Sequence, residues 1–212
     1  MRVESIDGMN QDSEAKPTVY VVDDDRSIRH AMELLLQSVG MEHAIFHSGT
    51  EFLAQYTNEL AGCMVLDIRM PGMGGLELQE KLIALGSTLP IIFITGHGDV
   101  PMAVEAMQKG AADFIQKPFR DQELLDRIGE AMKADRVLRS KRQQKADVLE
   151  RVSKLTKRER EVLDLVVTGK PNKVIAYELG VSQRTVEIHR ARVMEKMQAK
   201  SLADLVKMHI TA

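Results

Sequence analysis

Cysteine and aromatic residues are scarce in this chain of 212 residues, which has one cysteine, no tryptophan, three tyrosines and five phenylalanines. A single thiol, Cys63, cannot close an internal disulfide, and its apolar neighbours predict a buried group. Long hydrophobic runs are missing too, none approaching the ~20 residues of a membrane span. The stretch MRVESIDGMNQDSEAK is polar and acidic, unlike a secretory signal, so residues 1–16 are expected to be a loose, disordered tail on a cytoplasmic protein. Two enzymatic signatures are also wanting. GHGD is no G-x-S-x-G serine elbow, and TGK at 168–170 lacks the spacing of a Walker loop.

What is present is an ordinary globular composition, 44% apolar and 28% charged, at a length that suits two domains. Net charge is −2, yet the charges are segregated. Residues 1–132 hold 10 basic against 21 acidic side chains, residues 133–153 hold 7 against 3, and residues 154–212 hold 12 against 7. An acidic front and a basic back favour a polyanionic partner for the second half.

Short apolar or β-branched runs at 18–22, 42–46, 63–66, 90–94 and 113–116 alternate with helical patterns at 27–39, 49–56, 76–85, 102–110 and 122–132. Five strands alternating with five helices predict an α/β domain over residues 17–132, with a parallel, doubly wound, flavodoxin-like sheet covered on both faces. In such sheets chemistry gathers beyond the carboxyl ends of the strands.

Carboxylates stand at those ends. The first strand runs into Asp23, Asp24 and Asp25, and the third ends on Asp67 within CMVLDIRMPGMGG. Thr95 ends the fourth, and Lys117-Pro118 follows the fifth. One aspartate at a strand end is usually a turn cap. Several at one edge repel unless a proton or cation intervenes. Few hard oxygen ligands suit Mg²⁺, which keeps several waters and completes its shell with a phosphate oxygen. The edge reads as a phosphoryl-handling site.

Asp23-Asp24, LDIRMPGMGG, ITGHGD and KPF, in this order, resemble the receiver domain of two-component response regulators. The resemblance implies that Asp67 accepts a phosphoryl group from a sensor histidine kinase. Asp23, Asp24 (the direct ligand), Asp67 and the backbone carbonyl of Arg69 would then hold Mg²⁺, while Thr95 and Lys117 contact the phosphoryl oxygens. Pro118 matches a residue usually preceded by a cis bond, and Thr95 and Phe114 match the family's switch pair, although Phe114 also reads as a plain core residue. Arg69 and His97 flank the route of attacking water and would tune loss of the phosphoryl group. A phosphohydrolase with an aspartate nucleophile is the enzymatic alternative. It needs an acid two residues on, where Arg69 stands, so the chain reads as a non-enzyme.

Residues 133–153 are rich in charge and glutamine without glycine or proline, and predict a helical linker. The remainder, 154–212, is helical throughout. Thr156 and Glu159 form a capping-box pattern before an apolar run closed by Gly169. NKVIAYEL, opened by Asn172 and closed by Gly180, leads to Ser182, which caps QRTVEIHRARVMEKM with Val181 and Val186 as a hydrophobic staple. This is a helix-turn-helix in a small all-α domain. At 100° per residue Val186, Val193 and Met197 face its core, while Arg184, Glu187, Ile188, Ala191, Arg192 and Glu195 face away.

LTKREREVL, NKVIAYELGVSQRTVEIHR and KSLADLV resemble the LuxR-type DNA-binding domain. By that resemblance Glu187, Ile188 and Ala191 face bases of double-stranded promoter DNA, with Arg184 on the same face. Lys173, Ser182, Thr185, Arg190, Arg192 and Lys196 are candidates for backbone contacts. The last helix, through Leu202, Leu205, Val206 and His209, resembles the family's dimer contact. The halves together resemble a NarL/FixJ-type response regulator of the FixJ branch. That implies a homodimer formed on phosphorylation through the face containing 101–109, 113–116 and the helix after it, with RNA polymerase a further partner and no membrane involved. A constitutive dimeric regulator with a silent receiver is the alternative.

Overall fold

The computed structural model describes residues 16–96 and 100–211; His97 and residues 1–15 of the expected tail lie outside them. Two compact units divide between Val137 and Leu138. The first contains β1 (Thr18–Val22), α1 (Arg26–Ser38), β2 (His43–Phe46), α2 (Gly49–Gln55), β3 (Gly62–Asp67), α3 (Gly75–Ala84), β4 (Ile91–Thr95), α4 (Val100–Gln108) and β5 (Asp113–Gln116). All pairings are parallel, in the order β2-β1-β3-β4-β5. Each predicted strand and helix is found within two residues of its expected bounds, except the last helix of the unit.

Strand alternation sorts the core into two layers. Tyr20, Val22, Met64, Leu66 and Phe93 point to one face and pack with Phe52 of α2, Leu78 and Leu82 of α3 and Ala106 of α4. Val19, Val21, Cys63, Val65, Ile92, Ile94 and Ile115 point to the other, against Met32 and Leu36 of α1 and Leu124, Ile128 and Ala131 of the helix that follows β5, α5 (Asp121–Ser153). β3 lies centrally and is buried at all six positions, so the residue ending it is fixed by neighbours on both sides.

Helix α5 (Asp121–Ser153) is continuous through the stretch read as a linker. Both ends of that stretch belong to packed structure. Asp135, 4% exposed, accepts the Gly62 N–H at 2.9 Å. Gly62 itself sits at φ +122°, where an added Cβ would meet the Thr18 carbonyl oxygen at 2.0 Å. Val148 is buried in the second unit's core, with Val152 packed on it.

The second unit continues with α6 (Lys157–Val167), α7 (Asn172–Leu179), α8 (Gln183–Met197) and α9 (Leu202–Thr211). Val162, Leu163, Val166, Ile175, Val186, Val193, Met197 and Leu205 form its core. The Thr156–Glu159 capping box is present, and Ser182 Oγ accepts the Thr185 N–H. Asn172 opens α7 as its first residue, with Pro171 in the cap position, and Asn172 Oδ1 accepts from Arg190. Leu205, expected at a dimer surface, is fully buried, while Leu202 and Ile210 are large apolar groups of α9 that stand exposed.

Candidate functional site

The ends of β1, β3, β4 and β5 bring four side chains to one edge of the sheet. Asp67, 8% exposed, closes β3, and its Oδ1 accepts from Lys117 Nζ at 2.7 Å. Asp23, 2% exposed, accepts from the same ammonium at 3.2 Å. Lys117 reaches both because its N–H donates to the Thr95 carbonyl, which ties the end of β5 to that of β4. The Lys117–Pro118 peptide is cis.

The backbone orients the acids. Asp67 Oδ2 accepts the Arg69 N–H at 2.8 Å, and Asp23 Oδ1 accepts the Asp25 N–H at 2.8 Å. Each aspartate therefore keeps one oxygen on its own loop and turns the other to Lys117. Gly75, at the start of α3, allows the loop after β3 to fold back: a Cβ there would lie 2.4 Å from the Asp67 carbonyl oxygen. Asp25 caps α1 by accepting from Ser27 and Ile28, and those bonds hold its carboxyl below its ordinary range. Arg29, one turn into α1, donates to the Asp23 carbonyl at 2.8 Å. Sequence reasoning missed Arg29; its place one turn beyond an Asp-x-Ser cap was the available signal.

Electrostatically the edge is short of positive charge. Burial pushes the Asp23 carboxyl up, outweighing the lowering by the Asp25 N–H and Lys117. Burial also opposes the Lys117 charge, but the Asp67 hydrogen bond and the charge of Asp23 hold the ammonium above its ordinary value. A divalent cation would supply what the acids lack. Among the described residues no three Asp, Glu, His or Cys side chains form a metal cage. Mg²⁺ does not require one, since one or two carboxylates with carbonyl and water oxygens suffice. The donor set fits. Asp24, however, is exposed and stands outside the buried Asp23–Asp67 pair.

Thr95 is 3% exposed and its hydroxyl donates to the Ile115 carbonyl at 3.5 Å. Phe114, read alternatively as core, is 40% exposed on edge strand β5.

In the second unit Arg184, Glu187, Ile188, Ala191 and Arg192 are exposed along α8, and Lys173 is exposed on α7. Ser182 and Thr185 spend their hydroxyls on each other at the cap, 2.8 Å apart. Two nominated cations have other partners. Arg190 bonds Asn172 Oδ1 at 3.0 Å, and Lys196 bonds Glu159 Oε2 at 2.6 Å and the Lys154 carbonyl at 3.2 Å. Glu159 is 2% exposed, and its carboxyl is pulled down to about 2 by Lys196 and the Thr156 N–H. Lys196 is thus a structural tie between α6 and α8.

Comparison with known proteins agrees with both halves. Residues 19–129 match the family described as response regulator receiver domain, and residues 153–209 match bacterial regulatory proteins of the luxR family. Nodulation protein W of Bradyrhizobium diazoefficiens is 46% identical over 204 residues, covering 96% of this chain and 90% of its own. The transcriptional regulatory protein FixJ of Azorhizobium caulinodans is 44% identical, with 92% of each chain covered. The solved structure of response regulator StyR superposes with a TM-score of 0.87 at 46% identity, over 93% of this chain and 100% of that one.

Proposed function

The chain belongs to the NarL/FixJ-type response regulators, two-component transcription regulators that join a receiver to a LuxR-type DNA-binding domain, and on that premise we propose that Asp67 is its phosphoacceptor, charged by a sensor histidine kinase. The carrying observation is the Asp67 carboxylate, fixed at the end of the buried central strand, 2.7 Å from Lys117 and sharing that ammonium with Asp23. Transfer to a carboxylate oxygen needs positioning and charge neutralisation more than covalent help. Asp67 Oδ2 stays on the Arg69 N–H while Oδ1 is presented to the donor, and Lys117 follows the developing phosphoryl charge. Asp23, Asp24, Asp67 and the Arg69 carbonyl would hold Mg²⁺. Bound there, Mg²⁺ neutralises phosphoryl oxygens.

The product adds charge and acceptor oxygens beside Thr95. Its hydroxyl, weakly engaged at 3.5 Å, leaves the Ile115 carbonyl for a phosphoryl oxygen, and the neighbouring Phe114 turns inward from its exposed position. This shifts the population toward a receiver dimer through α4, β5 and the start of α5, which brings two α8 helices to paired half-sites of promoter DNA. Localisation is cytoplasmic by the same reading; among the described residues no helix is long and apolar enough to cross a membrane.

The test is intact mass after incubation with a small acyl phosphate, with and without Mg²⁺, beside Asp67→Ala. A Mg²⁺-dependent phosphoryl adduct on the wild type alone is the expected result. An adduct retained by the variant would move the acceptor elsewhere.

A further inference from the structure

Between Asp135 and Asp147 helix α5 carries Arg136, Arg139, Lys141, Arg142 and Lys145 and no acidic residue. At 100° per residue Leu138, Lys141, Arg142, Lys145 and Leu149 fall within an arc of about 100°, forming one stripe some ~16 Å long. The three cations are exposed, and so are Leu138 and Leu149, at 40% and 46%.

Two occupants compete for such a stripe. A second copy would need a coiled-coil seam, and the heptad positions available are Leu138, Lys141, Lys145, Val148 and Val152. Lys141 and Lys145 would then face their own copies, and Val148 and Val152 are already taken by the core of the second unit. A polyanion suits the stripe better. Its charge is of one sign, and its length matches roughly five base-pair steps of duplex at 3.4 Å each.

We propose that this stripe is a second DNA-contacting surface, in which Lys141, Arg142 and Lys145 bind duplex phosphates without reading sequence. The inference rests on DNA binding by the LuxR-type domain and adds to it a term that raises affinity for any duplex. Contacts of this kind displace condensed counterions, so each adds about 0.9 to the slope of log affinity against log salt.

The experiment measures fluorescence anisotropy of a labelled random-sequence duplex of about 30 base pairs, titrated with the full chain across a series of KCl concentrations. The wild type is compared with Lys141→Gln/Arg142→Gln/Lys145→Gln and with the charge-preserving Lys141→Arg/Arg142→Lys/Lys145→Arg. The neutralised variant is expected to lose about 2 to 3 units of slope and to bind at least tenfold more weakly at low salt. The charge-preserving one keeps the wild-type slope. Circular dichroism confirms that both retain their helix. An unchanged slope in the neutralised variant, or equal losses in both variants, overturns the proposal and leaves DNA binding by the domain standing. A wild type that binds no duplex at any salt overturns both.

Discussion

At the scale of single residues, three positions are constrained by what lies against them. Gly75 is one, because any Cβ would press into the Asp67 carbonyl oxygen at 2.4 Å. Gly75→Ala is expected to cost about 2–3 kcal/mol by urea denaturation and to lower the yield of Asp67 adduct, since the loop must shift to admit the methyl group. Asp23 sits the other way round. Burial makes its ionised form costly before any divalent cation binds, so Asp23→Asn should raise the melting temperature in Mg²⁺-free buffer while weakening Mg²⁺ binding by calorimetry. A variant less stable than wild type in chelator would show that Asp23 supports the fold instead. Glu159, held at about 2 against an ordinary 4.5, has the opposite sign. An acid lowered on folding contributes stability above its unfolded value and loses it as pH falls through its folded one. Melting temperatures taken from pH 5 to pH 2 should therefore fall more steeply for wild type than for Glu159→Gln.

At the scale of elements, ties across the chain decide which segments act together. Lys196 joins α8 to α6 through buried Glu159, and Lys196→Met should cost about 2 kcal/mol, above the ≤1 typical of exposed pairs, because it strands a carboxylate. If Lys196 also held a phosphate, the same variant would lose close to one unit of salt slope; no such loss is expected. The elements themselves were legible because alternation at period 2 and the 3.6-residue pattern are written in adjacent residues. Capping residues at Thr156 and Ser182 were legible for the same reason. Asp135 was not. Its partner lies 73 positions away, and nothing near it distinguishes a buried acceptor from one more charge on a solvated helix. Leu205 failed similarly, since an apolar residue on a terminal helix reads alike whether it faces a core or a second copy.

At the scale of the whole molecule, the edge carrying Asp67 was readable because parallel strands deliver their ends to one side, and Asp23, Thr95 and Lys117 need only their strand positions to be placed there. Which oxygen meets Lys117, and that Asp24 points to solvent, depends on turn hydrogen bonds that sequence does not display. Sedimentation velocity of the full chain with acyl phosphate and Mg²⁺ should show a shift from monomer to dimer that Asp67→Ala abolishes; a dimer of equal strength without phosphate would favour the constitutive reading. Cys63 offers a view of the same events. It is the chain's lone thiol, fully buried in β3 four residues before Asp67, with burial pushing it up to about 12. Burial both covers the sulfur and opposes its thiolate, the reactive form, so alkylation must await an opening of the sheet. The rate at which this one sulfur reacts is therefore a built-in clock for openings of the sheet around β3, readable by mass beside the phosphoryl adduct.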